Sequence, residues 1–260
     1  MTGTDVTSLA VAAAGVGKRF PDGLEALAGV DLQVRRGEFV ALLGPSGCGK
    51  STVLRLVAGL ARATAGTLAV CGLPPEVARR QGLRLAYVLQ DPTLLRWRRV
   101  AGNVALPLEL RHLPPDQVRH QVAEALGTVG LGDFAHRFPR QLSGGMRMRV
   151  SIARALVTFP ELLLMDEPFG ALDDITRQRL NLELLRLWEA GRWTCLFVTH
   201  SVQEACFLSE RVMVMGPRPG RILFTQEVPF PHPRAPGLRL DPRFGELVAS
   251  VNRRLEEALA

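Results

Sequence analysis

Residues 141–168 read QLSGGMRMRVSIARALVTFPELLLMDEP. Ser143 stands ahead of two glycines and of a helix-like run, Met146–Val157, and is placed as a helix N-cap with free backbone N–H groups beyond it. Ser143, Gly144 and Gly145 thus form one candidate anion site. Glu161–Met165 follows as an apolar strand that delivers two carboxylates, Asp166 and Glu167, at its end. In that position one carboxylate can hold Mg²⁺ through water while the next polarises an attacking water.

Upstream, Gly44-Pro45-Ser46-Gly47-Cys48-Gly49-Lys50-Ser51 matches G-x-x-x-x-G-K-[ST], a loop that cradles phosphate. With 25 glycines in 260 residues and only two lysines, chance gives this pattern on the order of once in several hundred chains. Of 32 basic residues only Lys18 and Lys50 are lysine. A chain that otherwise uses arginine keeps a compact ammonium where a point charge must fit among phosphate oxygens. Glu38–Leu43 before the loop reads as a short buried strand, and Ser51–Ala58 after it as a helix with apolar residues at helical spacing. The loop and the helix N-terminus then aim their N–H groups at one spot, where an anion is stabilised. By itself the loop implies only that a nucleotide is bound.

At 260 residues the chain is long enough for one large domain with sub-lobes. Hydrophobic residues make up 47%, yet charges break every stretch long enough to span a bilayer, such as Leu54–Val70 with Arg55 and Arg62. Leu9–Val16 is preceded by Asp5 and by no Lys or Arg, which argues for a first strand rather than a secretory leader. The four cysteines, Cys48, Cys71, Cys195 and Cys206, form no C-x-x-C pair, as expected of reduced thiols in a soluble cytoplasmic protein. The net charge of +7 is spread in ones and twos, without a basic run or nucleic-acid-reading motif. No nucleic acid partner is expected, and the charge suits docking beside anionic lipid headgroups.

Strand-like segments at Leu9–Val16, Val30–Val34 and Thr67–Val70 are separated by turns such as Pro21-Asp22-Gly23, and Leu85–Gln90 is a further strand. Residues from about 92 to 158 lack strand signals and read as helices, Asp116–Gly127 among them. Strands return at Glu161–Met165, Thr194–Thr199 and Arg211–Met215. The pattern is an α/β core with a helical insertion. A proline-rich stretch then leads to a last helix with Phe244, Leu247, Val248, Val251, Leu255 and Leu259 on one face, read as a face docked on its own domain.

The order of loop, Leu142-Ser143-Gly144-Gly145-Met146 and Leu162–Pro168 resembles the ATPase subunits of ABC transporters. That resemblance implies an α/β fold: a P-loop NTPase core with an antiparallel β sub-lobe and an inserted helical subdomain. It further implies a single cassette domain over 1–260, with its helical part at about 92–158 and a proline-rich tail and C-terminal helix at about 226–260. The implied cofactors are ATP and Mg²⁺. Lys50 would meet the β- and γ-phosphates, Thr52 the α-phosphate, and Ser51 and Asp166 the metal. Glu167 would be the general base. Gln90, ending its strand before Asp91-Pro92, matches the family's Q-loop glutamine, which reaches the metal or the attacking water. His200 after Leu196–Thr199 matches the switch histidine on the γ-phosphate, and Asp173 in Ala171-Leu172-Asp173 the subunit-contact D-loop. Phe20 falls where an aromatic ring stacks on adenine; the family more often has tyrosine there, but stacking needs only the ring face. Ser143, Gly144 and Gly145 would close on the ATP held by the other subunit, in a head-to-tail homodimer or a dimer with a paralogous ATPase. Met146 departs from the commoner glutamine of LSGGQ.

Four segments, Leu94–Arg98 (LLRWR), Met165–Arg177 (MDEPFGALDDITR), Val198–Ala205 (VTHSVQEA) and Met215–Ile222 (MGPRPGRI), are similar to importer ATPases of the nitrate, sulfonate and taurine group. The group usually has proline where Arg96 stands. This implies a peripheral protein on the cytoplasmic face of the cell membrane, working with integral membrane permease subunits and indirectly with a periplasmic or lipid-anchored solute-binding protein. Leu94, Leu95 and Trp97 are candidates for the permease-facing surface. The alternative is a soluble ABC ATPase acting on nucleic acid or ribosomes. A P-loop kinase or switch GTPase is opposed by LSGGM before the acids, by His200 after them and by the lack of N-K-x-D.

Overall fold

The computed structural model describes residues 9–259; Asp5 lies outside them. Strands β1 (Leu9–Arg19), β2 (Glu25–Arg35) and β4 (Ala65–Val70) form an antiparallel sheet in the order β2-β1-β4. Along β2, Val30, Leu32 and Val34 are buried and Asp31 and Gln33 exposed, the alternation of a sheet with one face in water.

The second sheet contains β3 (Phe39–Leu43), β5 (Leu85–Val88), β6 (Leu162–Asp166), β7 (Thr194–Thr199), β8 (Arg211–Met215) and β9 (Ile222–Glu227). Its order is β5-β6-β7-β3-β8-β9, parallel except for β9. The runs FVALL, TCLFVT and RVMVM are buried along their whole length, as parallel strands covered on both faces must be. Helix α1 (Lys50–Val57) follows β3, and α2 (Pro75–Arg80) follows β4.

Between β5 and β6 the chain forms α3 (Val100–Glu109), α4 (Pro115–Thr128) and α5 (Gly144–Leu156), which pack on one another. Asn103 is fully buried at the entry to this layer. Its amide donates to the carbonyls of Leu95, Arg98 and Arg99 at 3.1 Å, and its oxygen accepts from Leu95 N–H at 2.7 Å. One side chain thereby fixes the turn that carries Trp97. After β6 come α6 (Asp174–Gly191) and α7 (Val202–Leu208). Their N-caps are Asp173 and Ser201, whose side chains accept from Thr176 N–H and Glu204 N–H.

The C-terminal helix α8 (Pro242–Leu259) docks on its own domain as expected: Phe244 and Val251 are buried, and Leu247, Val248 and Leu255 pack half-buried against the core. The side chain of Leu259 lies outside the described residues. The proline-rich segment ahead of α8 is held by buried Arg234, whose guanidinium donates to the carbonyls of Cys206, Phe207, Ser209 and Phe230 at 2.8–3.2 Å. Three of these carbonyls belong to the C-terminal end of α7, where a cation also meets the negative pole of the helix. No helix among the described residues is long and apolar enough to cross a membrane.

Candidate nucleotide site

The parallel register brings four chain segments to one edge of the core sheet. Leu43 pairs with Thr199, Asp166 with Val198, and Val88 with Met165. The residues that follow, Gly44–Lys50, Glu167, His200 and Gln90, therefore leave the sheet at its carboxyl end. That edge is where open parallel sheets bind ligands.

Lys50 begins α1 with its side chain buried. Its ammonium donates to the carbonyls of Gly44 and Pro45 at 2.8 and 2.9 Å and lies 3.4 Å from Glu167 Oε1. The other carboxylate oxygen of Glu167 is 3.1 Å from His200 Nδ1. Ser51 Oγ donates to Asp166 Oδ1 at 2.9 Å, and Tyr87 Oη donates to Asp166 Oδ2 at 3.1 Å. Burial first, then the charge of Asp166, pushes the Tyr87 pKa up, so the phenol stays a donor. Glu167 has φ +46°, a left-handed backbone for a side chain with a Cβ. Its N–H bonds Val198 O at 3.0 Å and its carbonyl accepts from Gly170 N–H at 3.1 Å, which holds the strained conformation in place.

Lys50, Ser51, Asp166 and Glu167 face a cleft of about 410 Å³ lined also by Phe20, Leu24, Ala26, Ser46, Gly47, Gly49, Thr52, Gln90 and Arg218, whereas His200 stands against Glu167 outside that lining. The lining joins the aromatic ring at one end to the two acids and Gln90. Gly49 closes the turn at φ +107°, and a Cβ there would stand 2.6 Å from a Leu27 methyl. Three loop residues take a different part from the one expected of them. Gly44 and Pro45 offer carbonyls to Lys50 rather than facing the cleft. Cys48 turns its thiol into the core below the loop, and burial raises its pKa. Leu24, Ala26, Tyr87 and Arg218 are site residues to which no motif gave a part in the site, although Arg218 lies in the Met215–Ile222 segment. Tyr87 carries the one available signal, a phenol in a strand of otherwise apolar residues beside the strand of Asp166.

Ser143, Gly144, Gly145 and Asp173 do not line this cleft. Ser143 caps α5, accepting from Met146 N–H at 3.3 Å, so the helix begins at Gly144 and not at Met146. Gly144 and Gly145 sit against Leu172 and Thr176 at the start of α6. Asp173, exposed, has its pKa lowered by the hydrogen bond from Thr176 N–H. This second N–H cluster lies outside the cleft lining. Near the far end of α5, Arg154 donates to Pro92 O at 2.7 Å and to Thr93 O at 3.1 Å, just past Gln90. Of the apolar trio expected at the surface, Trp97 is 75% exposed, whereas Leu94 and Leu95 are half-buried, Leu94 against the core.

The metal pair passes a test of chemistry. Ser51 Oγ and Asp166 Oδ1 are hard oxygen donors held side by side at the foot of the phosphate loop, and Mg²⁺ takes one or two such protein oxygens with phosphate and water completing the shell.

Comparison with known proteins identifies the family. Residues 27–170 match the family model described as ABC transporter. The chain is 43% identical over 249 residues to the aliphatic sulfonates import ATP-binding protein SsuB 2 of Xanthomonas axonopodis pv. citri, covering 96% of this chain and 80% of that one. It is 43% identical over 242 residues to the nitrate import ATP-binding protein NrtD of Synechococcus elongatus, covering 89% and 86%. Among solved structures, cbiO1 of Clostridium perfringens, part of the ABC transporter complex cbiONQ, superposes with a TM-score of 0.79 at 25% identity over 96% of this chain and 97% of that one. The ATP-binding cassette MJ0796, solved as a dimer bound to ADP and Pi, gives 0.75 at 30% identity over 85% and 99%. The chain belongs to the ABC transporter family, as one of its ATP-binding cassettes.

Proposed function

We propose that this cassette is the ATP-hydrolysing subunit of an importer, closing as a dimer around two nucleotides and driving a separate membrane permease. The observation that carries the reading is the convergence of Lys50, Glu167, Ser51 and Asp166 in one cleft, with His200 against Glu167. The phosphates take the Lys50 ammonium and the N–H groups of Ser46–Thr52, while Phe20 stacks on the base. Ser51 and Asp166, with Gln90 in the same lining, would hold Mg²⁺, which would supply neutralisation of phosphate charge. Glu167 is aimed by its ion pair with Lys50 and its contact with His200, and accepts the proton of the attacking water. His200 is placed to hold the γ-phosphate.

Ser143, Gly144 and Gly145 act on the nucleotide of the opposite subunit, with Asp173 at the contact between subunits. Support comes from their position outside the cleft of their own chain and from the dimeric state of the MJ0796 relative. Replacing Ser143 with arginine is expected to abolish hydrolysis while ATP binding by the monomer stays within about twofold of wild type, because the change adds charge and bulk at a surface cap. Steady-state ATPase and equilibrium nucleotide binding on the same sample check this. Normal turnover would remove the second anion site from the machine.

The helical part, residues 92–158, moves against the core, and the permease engages it beside Gln90. The solute is nitrate, a sulfonate, taurine or a related small solute, the first two being those in the relatives' names, and it reaches the permease through a solute-binding protein. The cassette then works on the cytoplasmic face of the cell membrane. Those relatives are import proteins, which leaves the nucleic-acid or ribosome alternative without support. Trp97 is the exposed aromatic of the proposed coupling face. Trp97→Ser should keep free-subunit ATP binding while co-purification with the permease, and transport-linked hydrolysis, fall together by about tenfold. Retention of both would place the docking face elsewhere. Co-purification of RNA or ribosomes in place of a membrane protein would overturn the importer reading itself.

A further inference from the structure

The turn from Met215 to Ile222, MGPRPGRI, has so far no part in the chemistry, yet it is built against the phosphate loop from several sides. A Cβ on Gly220 would stand 2.1 Å from the Cys48 carbonyl oxygen, so the two backbones touch there. Gly220 N–H donates to Ala26 O at 2.9 Å, and Gly220 O accepts from Ala28 N–H at 3.0 Å, which pins the turn to β2. At its other end, a Cβ on Gly44 would come within 2.8 Å of Met215 O. Between these fixed points Arg218 is exposed. Its Nε and Nη2 donate to Gly47 O at 3.3 and 3.1 Å, and its side chain lines the same cleft as Phe20, Lys50 and Thr52.

Resting on the reading of this cleft as a nucleotide site, we infer that Arg218 is a second phosphate-binding cation of that site. The cleft holds two carboxylates, Asp166 and Glu167, and one buried ammonium already shared among Gly44 O, Pro45 O and Glu167. A nucleotide polyphosphate brings further negative charge into that balance. A guanidinium has five N–H donors in a planar fork. Two of its nitrogens bond Gly47 O, so the Nη1 group is left to offer to phosphate oxygen across the cleft. The bonds to Gly47 O also fix the Gly47–Cys48 peptide at the top of the loop, so one residue both shapes the cradle and adds charge to it.

The test is equilibrium binding of MgADP and MgATP to the purified full chain at low and at high salt, for wild type, Arg218→Ala and Arg218→Lys. Arg218→Ala should bind both nucleotides about tenfold more weakly at low salt, and the deficit should shrink to about threefold at high salt, as screening of an exposed ionic contact requires. Arg218→Lys should regain part of the affinity through its charge. The melting temperature without nucleotide should stay within about 1 °C of wild type, because Arg218 is exposed. Affinities within about twofold of wild type at both salts overturn the inference. An equal deficit at both salts also overturns it, since Arg218 then only supports the loop. A wild-type chain that binds neither nucleotide overturns the site assignment and this inference together.

Discussion

Glu167→Gln is expected to bind MgATP at least as well as wild type and to hydrolyse it at least about a hundredfold more slowly. The amide keeps the size of the side chain and its contact with His200, but cannot accept the proton from water. Affinity should be preserved because Glu167 faces the Lys50 ammonium at 3.4 Å; removing that carboxylate frees the cation for phosphate. With chemistry blocked, the ATP-bound dimer should accumulate, visible as a shift in size-exclusion chromatography. The left-handed backbone at this residue supplies a control. Glu167→Gly removes the same base while relieving the strain, which is of order 1 kcal/mol. It should therefore be as inactive as Glu167→Gln without a loss of thermal stability. Hydrolysis at the wild-type rate by either variant would assign the base to another residue.

Lys50→Ala should lose most ATP affinity, about tenfold to a hundredfold, the range of a charge-assisted hydrogen bond to phosphate. Lys50→Arg should fail as well. The ammonium is buried and fits between the carbonyls of Gly44 and Pro45 at 2.8 and 2.9 Å. A planar guanidinium at the same place overfills the loop and cannot point one proton at each oxygen. The two variants separate charge from shape: alanine removes both, arginine keeps the first alone. Isothermal titration with MgATP measures each, and unchanged affinity in both would end the phosphate-cradle assignment.

The parallel core was the most legible part of the sequence. Phe39–Leu43, Thr194–Thr199 and Arg211–Met215 are short runs with buried positions throughout, a pattern only a strand covered on both faces makes economical. Ile222–Glu227 carries no strand signal of its own, because this antiparallel edge strand is half exposed and contains Thr, Gln and Glu. Helix α6 is equally hidden in the sequence, since only Leu180, Asn181, Leu184, Leu185 and Trp188 are buried and charges occupy much of the remaining surface. The motif residues followed local rules of loop and helix, whereas Tyr87 and Arg218 enter the site through pairing. Tyr87 reaches Asp166 because β5 lies beside β6 in register, Leu164 opposite Tyr87. Arg218 reaches Gly47 because β9 turns back beside β8 and carries its preceding turn over the loop. Neither contact has a spacing that a single sequence displays. The inward turn of Leu94 and Leu95 has the same origin: Asn103, eight residues beyond Leu95, folds the segment back on itself.

Arg154 gives α5 the character of a rigid rod with a load at each end. One end is tied through Arg154 to Pro92 and Thr93, beside the face where Trp97 projects. The other end is the Ser143 cap. From Ser143 to Arg154 the helix advances eleven residue steps, roughly 16 Å at about 1.5 Å per residue. A helix transmits displacement along its axis far better than a loop does. A displacement imposed at Pro92 would therefore reach the Ser143 cap along the helix axis.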